Sequence, residues 1–257
     1  MKKNLRTFNI QHSTFNIQPV RHWMSLVVGC WMLVVGCFSF STSAATNEPP
    51  PVTVADPRPA LQNLQHKMAA VKSVYLEFTQ ERVLKLFSEP LKTEGVMLIA
   101  SPDRIRWETT APYQSILLGD KKSVAQFEKE DGAWKKLKLG FPQMLKRVME
   151  QMALMNQGKL DALTGDFTIT VATNQSAAVL TLVPKDKDVR GMLAALEVWM
   201  QPDFSATREV VMREPGGDFT RISFKHERRN VVFPPGTFDQ TKPLDIFEIR
   251  KATGDSQ

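Results

Sequence analysis

The stretch Ser73-Val74-Tyr75-Leu76-Glu77-Phe78-Thr79 alternates strictly, with Val74, Leu76 and Phe78 on one side and Tyr75, Glu77 and Thr79 on the other. Neighbouring side chains of a strand face opposite sides, so this period of two predicts a half-buried strand. Just upstream the period is that of a helix. Leu61, Leu64, Met68 and Val71 form one apolar stripe over 59–72, with Asp56, Pro57 and Pro59 as a start signal. Downstream, strands are expected over 94–100, 104–109, 114–118 and 123–128, with a weaker one at 134–138, separated by turn signals such as Ser101-Pro102-Asp103 and Gly119-Asp120.

The sheet pattern breaks once. Residues 141–156 (FPQMLKRVMEQMALMN) place Met144, Leu145, Val148, Met149, Met152 and Met155 on one helical face, with Pro142 at an early helical position and Gly158 as a C-terminal cap. Strands resume over 166–172, 178–183, 195–201, 207–213 and 220–226. The result is one α+β domain of roughly 190 residues, large enough to bury a core without staples. Short connections make the sheet antiparallel, and about ten strands in one sheet curl towards a barrel or half barrel.

Residues 24–40 (MSLVVGCWMLVVGCFSF), followed by Ser41-Thr42-Ser43-Ala44-Ala45, read as the apolar core of an export signal with small residues at a cleavage point. The organisation expected is an N-terminal extension at 1–23, a signal peptide at 24–45, a Pro-rich linker at 46–58, the folded domain at 59–250 and a polar tail at 251–257. Thr-Phe-Asn-Ile-Gln occurs twice in the extension, at 7–11 and 14–18. A start at Met24 would explain it as non-native but would leave the signal without basic residues. Both cysteines, Cys30 and Cys37, lie in the apolar run. Cleavage leaves a domain without thiols; lipidation at Cys37, which follows Val-Val-Gly, is the alternative.

Four of the cations that give the chain its +6 lie before residue 46, where there are no acids, so the remainder carries only +2. No basic cluster of the kind that nucleic-acid binders carry is present. His66 and His226 lack a second ligand at metal spacing, and Gly216-Gly217-Asp218 reads as a hairpin turn rather than a phosphate loop. Nucleophile motifs are absent, and Glu77, Glu108 and Glu209 are explained as residues of a solvated sheet face. The reading is therefore of a protein without catalysis or cofactor. The positive signal is the helix at 141–156, with four of the chain's twelve methionines. Methionine is adaptable and polarizable, and a Met-rich helix over a curved sheet makes an apolar pocket.

Phe78-Thr79-Gln80, Gly95 through Ser101-Pro102, Arg106-Trp107-Glu108 and Pro112-Tyr113-Gln114-Ser115-Ile116-Leu117 together resemble the periplasmic outer-membrane lipoprotein carrier family (LolA-like). The likeness spans most of 60–245 and includes Pro234-Pro235-Gly236-Thr237-Phe238. It implies a strongly curved antiparallel half barrel with a helical lid over an apolar cavity, in a monomer located in the periplasm. By position, Phe78, Leu98, Ile105 and Trp107 line the concave face, Met144, Val148, Met149 and Met152 form the lid, and Leu196, Val198 and Met200 continue the lining. The implied partners are acylated lipoproteins or lipid, an inner-membrane release complex and an outer-membrane acceptor. A membrane-tethered acceptor or envelope lipid sensor on the same fold is the second reading. One departure stands out: where family members often carry an Arg before the strand-ending Pro, implicated in closing the lid, this chain has Ser101. Arg104 or Arg106 would have to substitute.

Overall fold

The alternation at residues 73–79 belongs to an eleven-residue strand that pairs on both sides, and the sheet is built outward from it. The computed structural model describes residues 50–139, 154, 158–241 and 243–252. Among these, twelve strands form a single sheet: β1 (Val52–Thr53), β2 (Ser73–Val83), β3 (Leu91–Ala100), β4 (Arg104–Ala111), β5 (Ser115–Gly119), β6 (Val124–Glu130), β7 (Ala133–Leu137), β8 (Phe167–Thr173), β9 (Ala178–Pro184), β10 (Ala195–Met200), β11 (Thr207–Arg213) and β12 (Phe219–Arg229). Their order is β1-β8-β9-β10-β11-β12-β2-β3-β4-β5-β6-β7, and all pairs are antiparallel. The sheet is curved and open, with β1 and β7 as its edges.

Two meanders, β2 to β7 and β8 to β12, therefore meet along the β2–β12 seam. Across it Phe78 stands opposite Phe224, and on the other side of β2 opposite Gly95. The expectation of about ten strands falls short because of β1. Part of the stretch read as linker pairs with β8, Val52 opposite Thr173 and Thr53 opposite Ala172. Its β-branched residues outweigh the prolines on either side.

The first helix, α1 (Arg58–Ala69), begins where expected, and the Asp56 carboxylate accepts the Arg58 N–H at 3.0 Å. Leu61, Leu64 and Met68 pack on the sheet with Val171, Leu180, Leu182, Val198 and Met200, whereas Val71 joins the neighbouring cluster around Phe78. A 3-10 turn (Leu160–Leu163) adds Leu160 and Leu163 to the α1 cluster. The stretch 141–156 expected as a Met-rich helix, with Met144, Val148, Met149 and Met152, lies outside the described residues, apart from Leu154, which packs against the α1 cluster. A short helix, α2 (Lys187–Arg190), caps the β9–β10 connection, with Asp186 accepting the N–H groups of Asp188 and Val189.

The opposite face also carries apolar residues, and the C-terminal segment covers those of β2 and β3. Tyr75, Val96 and Leu98 pack there against Val231, Phe233, Phe238, Leu244 and two residues of α3 (Ile246–Ala252), Ile246 and Ile249. Arg106, with no exposed surface, sits on this face. Its guanidinium donates to Glu108 Oε2 at 2.6 and 3.0 Å, to the Thr237 carbonyl at 3.0 Å and to the Leu244 carbonyl. Glu108 is thus buried in an ion pair and does not belong to a solvated face, and burial pushes its carboxyl up despite the guanidinium beside it. Further out, Tyr75, Glu77, His226 and Arg250 join in one network, and Lys129 Nζ holds Asp245 at 2.8 Å. Beyond the C-terminal segment this face becomes an ion-paired ladder, Glu197–Arg213 and Glu209–Arg221, with Lys92–Glu81 beside it.

Two predictions concern this cover. Arg106→Ala strands the Glu108 carboxylate and should cost roughly 3–5 kcal/mol in urea denaturation, whereas Arg106→Met combined with Glu108→Leu should recover much of that loss. Equal losses in both variants would refute the ion-pair account. The second concerns pH. Burial alone would raise Glu77 and Asp245. Hydrogen bonds from His226 and Tyr75, with the charge of Arg250, hold Glu77 below the usual range; Lys129 and the Phe247 N–H do the same for Asp245. Groups lowered on folding stabilise fully above their unfolded pKa, about 4, and lose that contribution as pH falls through the folded value. Glu108, raised, runs the other way, its contribution being lost as pH rises through its folded value. Amide exchange over 246–252, corrected for intrinsic rates, should therefore quicken between pH 5 and pH 2, and less so in Asp245→Asn.

Candidate functional site

The face of the sheet that carries Phe78 is apolar nearly from edge to edge. Direct cross-strand partners run Val171, Leu180, Val198, Val210 and Ile222, and a second row runs Leu76, Met97, Trp107 and Leu117. Its central cluster comprises buried Val74, Leu76, Phe78, Met97, Ile99, Ile105 and Ile222, with partly exposed Trp107, Leu117, Val124, Met212 and Phe224 around it. Among the described residues every member comes from the sheet except Val71. The half nearer β1 is different, because α1 covers it.

Gly95 organises the centre. A Cβ there would lie 2.0 Å from the Glu108 carbonyl oxygen and 2.7 Å from Phe78 Cζ. Without it, the Phe78 ring can lie across β3 and meet Trp107, with centroids 4.9 Å apart and planes tilted by 51°. The pair adds about 0.5–1.5 kcal/mol beyond its area. A register shift between Glu94 and Gly95 marks the same spot. At one end the apolar face turns polar, with buried Gln80, Arg82 and Thr220; an Arg82 Nη2 lies 3.4 Å from Glu214.

The structure brings Phe78, Ile105 and Trp107 together in this cluster and Leu196, Val198 and Met200 together beneath α1, on the same face. Leu98 is the correction. It is fully buried on the opposite face, under Ile246 and Ile249, because β3 presents Met97 and Ile99 alongside Phe78. Arg104 and Arg106 also belong to that opposite face, Arg104 over the Phe238 ring at 5.1 Å and Arg106 in the Glu108 pair, so neither stands in for an Arg at Ser101. Met97, Ile99, Ile222 and Gly95 were missed by sequence reasoning. The apolar run Val96–Ala100 has no alternation to reveal its parity, and only the register to β2 resolves it.

Chemically, this face offers apolar contact and little else. Among the described residues no group of three His, Cys, Asp or Glu side chains is placed to hold a metal ion. The described helices include none long and apolar enough to cross a membrane.

Comparison with known proteins adds the following. A family model described as "Outer membrane lipoprotein carrier protein LolA" matches residues 69–241. An outer-membrane lipoprotein carrier protein of Chromobacterium violaceum is 25% identical over 196 residues, covering 73% of this chain and 85% of its own. One from Xanthomonas oryzae pv. oryzae is 29% identical over 161 residues, 62% of this chain and 73% of its own. Among solved structures, a LolA-superfamily protein from Nitrosomonas europaea aligns at a TM-score of 0.39 and 11% identity, covering 73% of this chain and 99% of its own. MucB of Pseudomonas aeruginosa, in complex with MucA, aligns at 0.43 and 13%, covering 72% of this chain and 61% of that one.

The two faces predict different mutational outcomes. Leu98→Ala should cost about 2–5 kcal/mol of stability and leave the affinity for an apolar fluorescent probe unchanged. Trp107→Ala should weaken probe binding severalfold at a smaller cost in stability. Probe titration and denaturation of both variants test the assignment, and a reversed pattern would exchange the roles of the faces.

Proposed function

The chain belongs to the outer membrane lipoprotein carrier family, and on that premise we propose that it is a periplasmic carrier. It holds the acyl chains of lipoproteins against the Phe78 face and moves them from the inner to the outer membrane, without a catalytic step. The observation that carries this reading is the broad apolar cluster around Phe78 and Trp107, whose described members all come from the sheet apart from Val71. At about 0.8 kcal/mol per buried CH₂, one long acyl chain left in water costs on the order of ten kcal/mol, so a soluble carrier must shield it. It must also let go. Met97 and Met212 within the cluster, and the methionines of 141–156 as a lid, give a surface that adapts to varied chains without locking around one. The lining proposed is Phe78, Ile105, Trp107, Leu196, Val198 and Met200, with Met144, Val148, Met149 and Met152 as the lid. The donor and acceptor proposed are an inner-membrane release complex and an outer-membrane acceptor.

The test is release of newly made lipoproteins from spheroplasts by the purified protein. A triacylated lipoprotein should appear in the supernatant as a one-to-one complex. Met149→Glu in the proposed lid and Met212→Glu in the apolar cluster should each abolish that release while leaving the thermal transition within a few degrees of the parent. Free lipid recovered in place of lipoprotein would keep the binding face and change the cargo. No release, together with no bound lipid, overturns the reading.

A further inference from the structure

We propose that the turn between β2 and β3 is a membrane-contact tip that sets Leu86 and Phe87 into a lipid surface. The Phe87 N–H donates to the Leu84 carbonyl at 2.9 Å, which makes Lys85 and Leu86 the corners of a reverse turn. Turn corners favour Gly, Asn, Asp and Ser. Here Leu86 is 86% exposed, Phe87 39% and Leu91 45%. Folding gains nothing from Leu86 at that place.

The tip is also held in position. The Lys85 N–H donates to Asp218 Oδ1 at 2.9 Å, and the Lys85 side chain crosses Gly217, where an added Cβ would meet Nζ at 2.5 Å. The β11–β12 turn thus braces the β2–β3 turn from beside it, and Leu86 stays outward. Leu91 stands opposite Arg82, in the row that continues through Thr220 to Met212 on the Phe78 face. The exposed apolar residues therefore stand at one end of that face.

The shape and charge of the tip select a lipid surface as its partner. A protruding turn with two apolar side chains needs a fitted pocket on a protein, but a fluid interface accepts it as it is. Between residues 84 and 92 the charges are Lys85, Glu89 and Lys92, and Lys92 pairs with Glu81 at 2.9 Å. Lysine stems can lie along an apolar surface with the ammonium at the headgroups, as interfacial segments do. This inference goes beyond the carrier reading and rests on other residues, so either can fail without the other.

The experiment uses the full chain and vesicles of phosphatidylethanolamine and phosphatidylglycerol. In flotation, Leu86→Ser with Phe87→Ser should lower partitioning about tenfold relative to the parent. Both side chains are at least partly exposed, so its thermal transition should match the parent's. Because the apolar run at 24–40 can itself hold the chain on vesicles, a local readout is added. The difference spectrum of Phe87→Trp should shift to the blue with vesicles and be quenched by brominated acyl chains. Equal flotation of parent and variant with no blue shift overturns the proposal and leaves the tip to a protein partner. Flotation lost in the variant, or a quenched blue-shifted emission, supports it.

Discussion

Strand β3 is apolar on both faces, with Met97 and Ile99 on one side and Val96 and Leu98 on the other, and a strand of that kind must be covered twice. This constraint arranges the rest of the molecule. On the Leu98 face the cover comes from the last described residues, where Ile246 and Ile249 press on Tyr75, Val96 and Leu98. On the Phe78 face α1 covers one half, through Leu64 and Met68. The two faces are thus covered differently, the Leu98 face by the C-terminal segment and the Phe78 face by α1 only in the half nearer β1.

The buried pair Arg106–Glu108 belongs to this division. A well-packed apolar pair would make at least as stable a core, since two charges taken from water barely recover their desolvation cost. What the guanidinium adds is direction. Its hydrogen bonds to the Thr237 and Leu244 carbonyls fix where an irregular segment lies, which apolar contact alone leaves free to slide.

Much of this was legible in the sequence, and the illegible part has identifiable causes. Alternation in 73–79 puts Val74, Leu76 and Phe78 on one face, as the sheet does, whereas Ile105, Trp107, Leu196, Val198 and Met200 are placed on that face by the resemblance and not by their own pattern. Alternation fails in β3, because Val96–Ala100 is buried on both faces and a continuous apolar run carries no parity. Leu98 was therefore placed on the wrong side. Glu108 reads as a solvent residue for a related reason. Its partner is two positions away, but the cover comes from Thr237, Leu244 and Ile246, far along the chain. Helix α3 has only seven residues and an exposed Phe247, too short a stripe for its period to stand out.

The seam between β2 and β12 has a consequence for how the chain reaches this shape. Each meander can assemble from neighbouring hairpins, but the two are joined only when β2 finds β12. Such distant pairing bears the entropy of closing a long loop before any contact rewards it, which makes folding slow. Until β12 pairs with it, β2 exposes an unpaired edge and the apolar Val74–Leu76–Phe78 face, so an aggregation hazard travels in the strand around which the sheet is built.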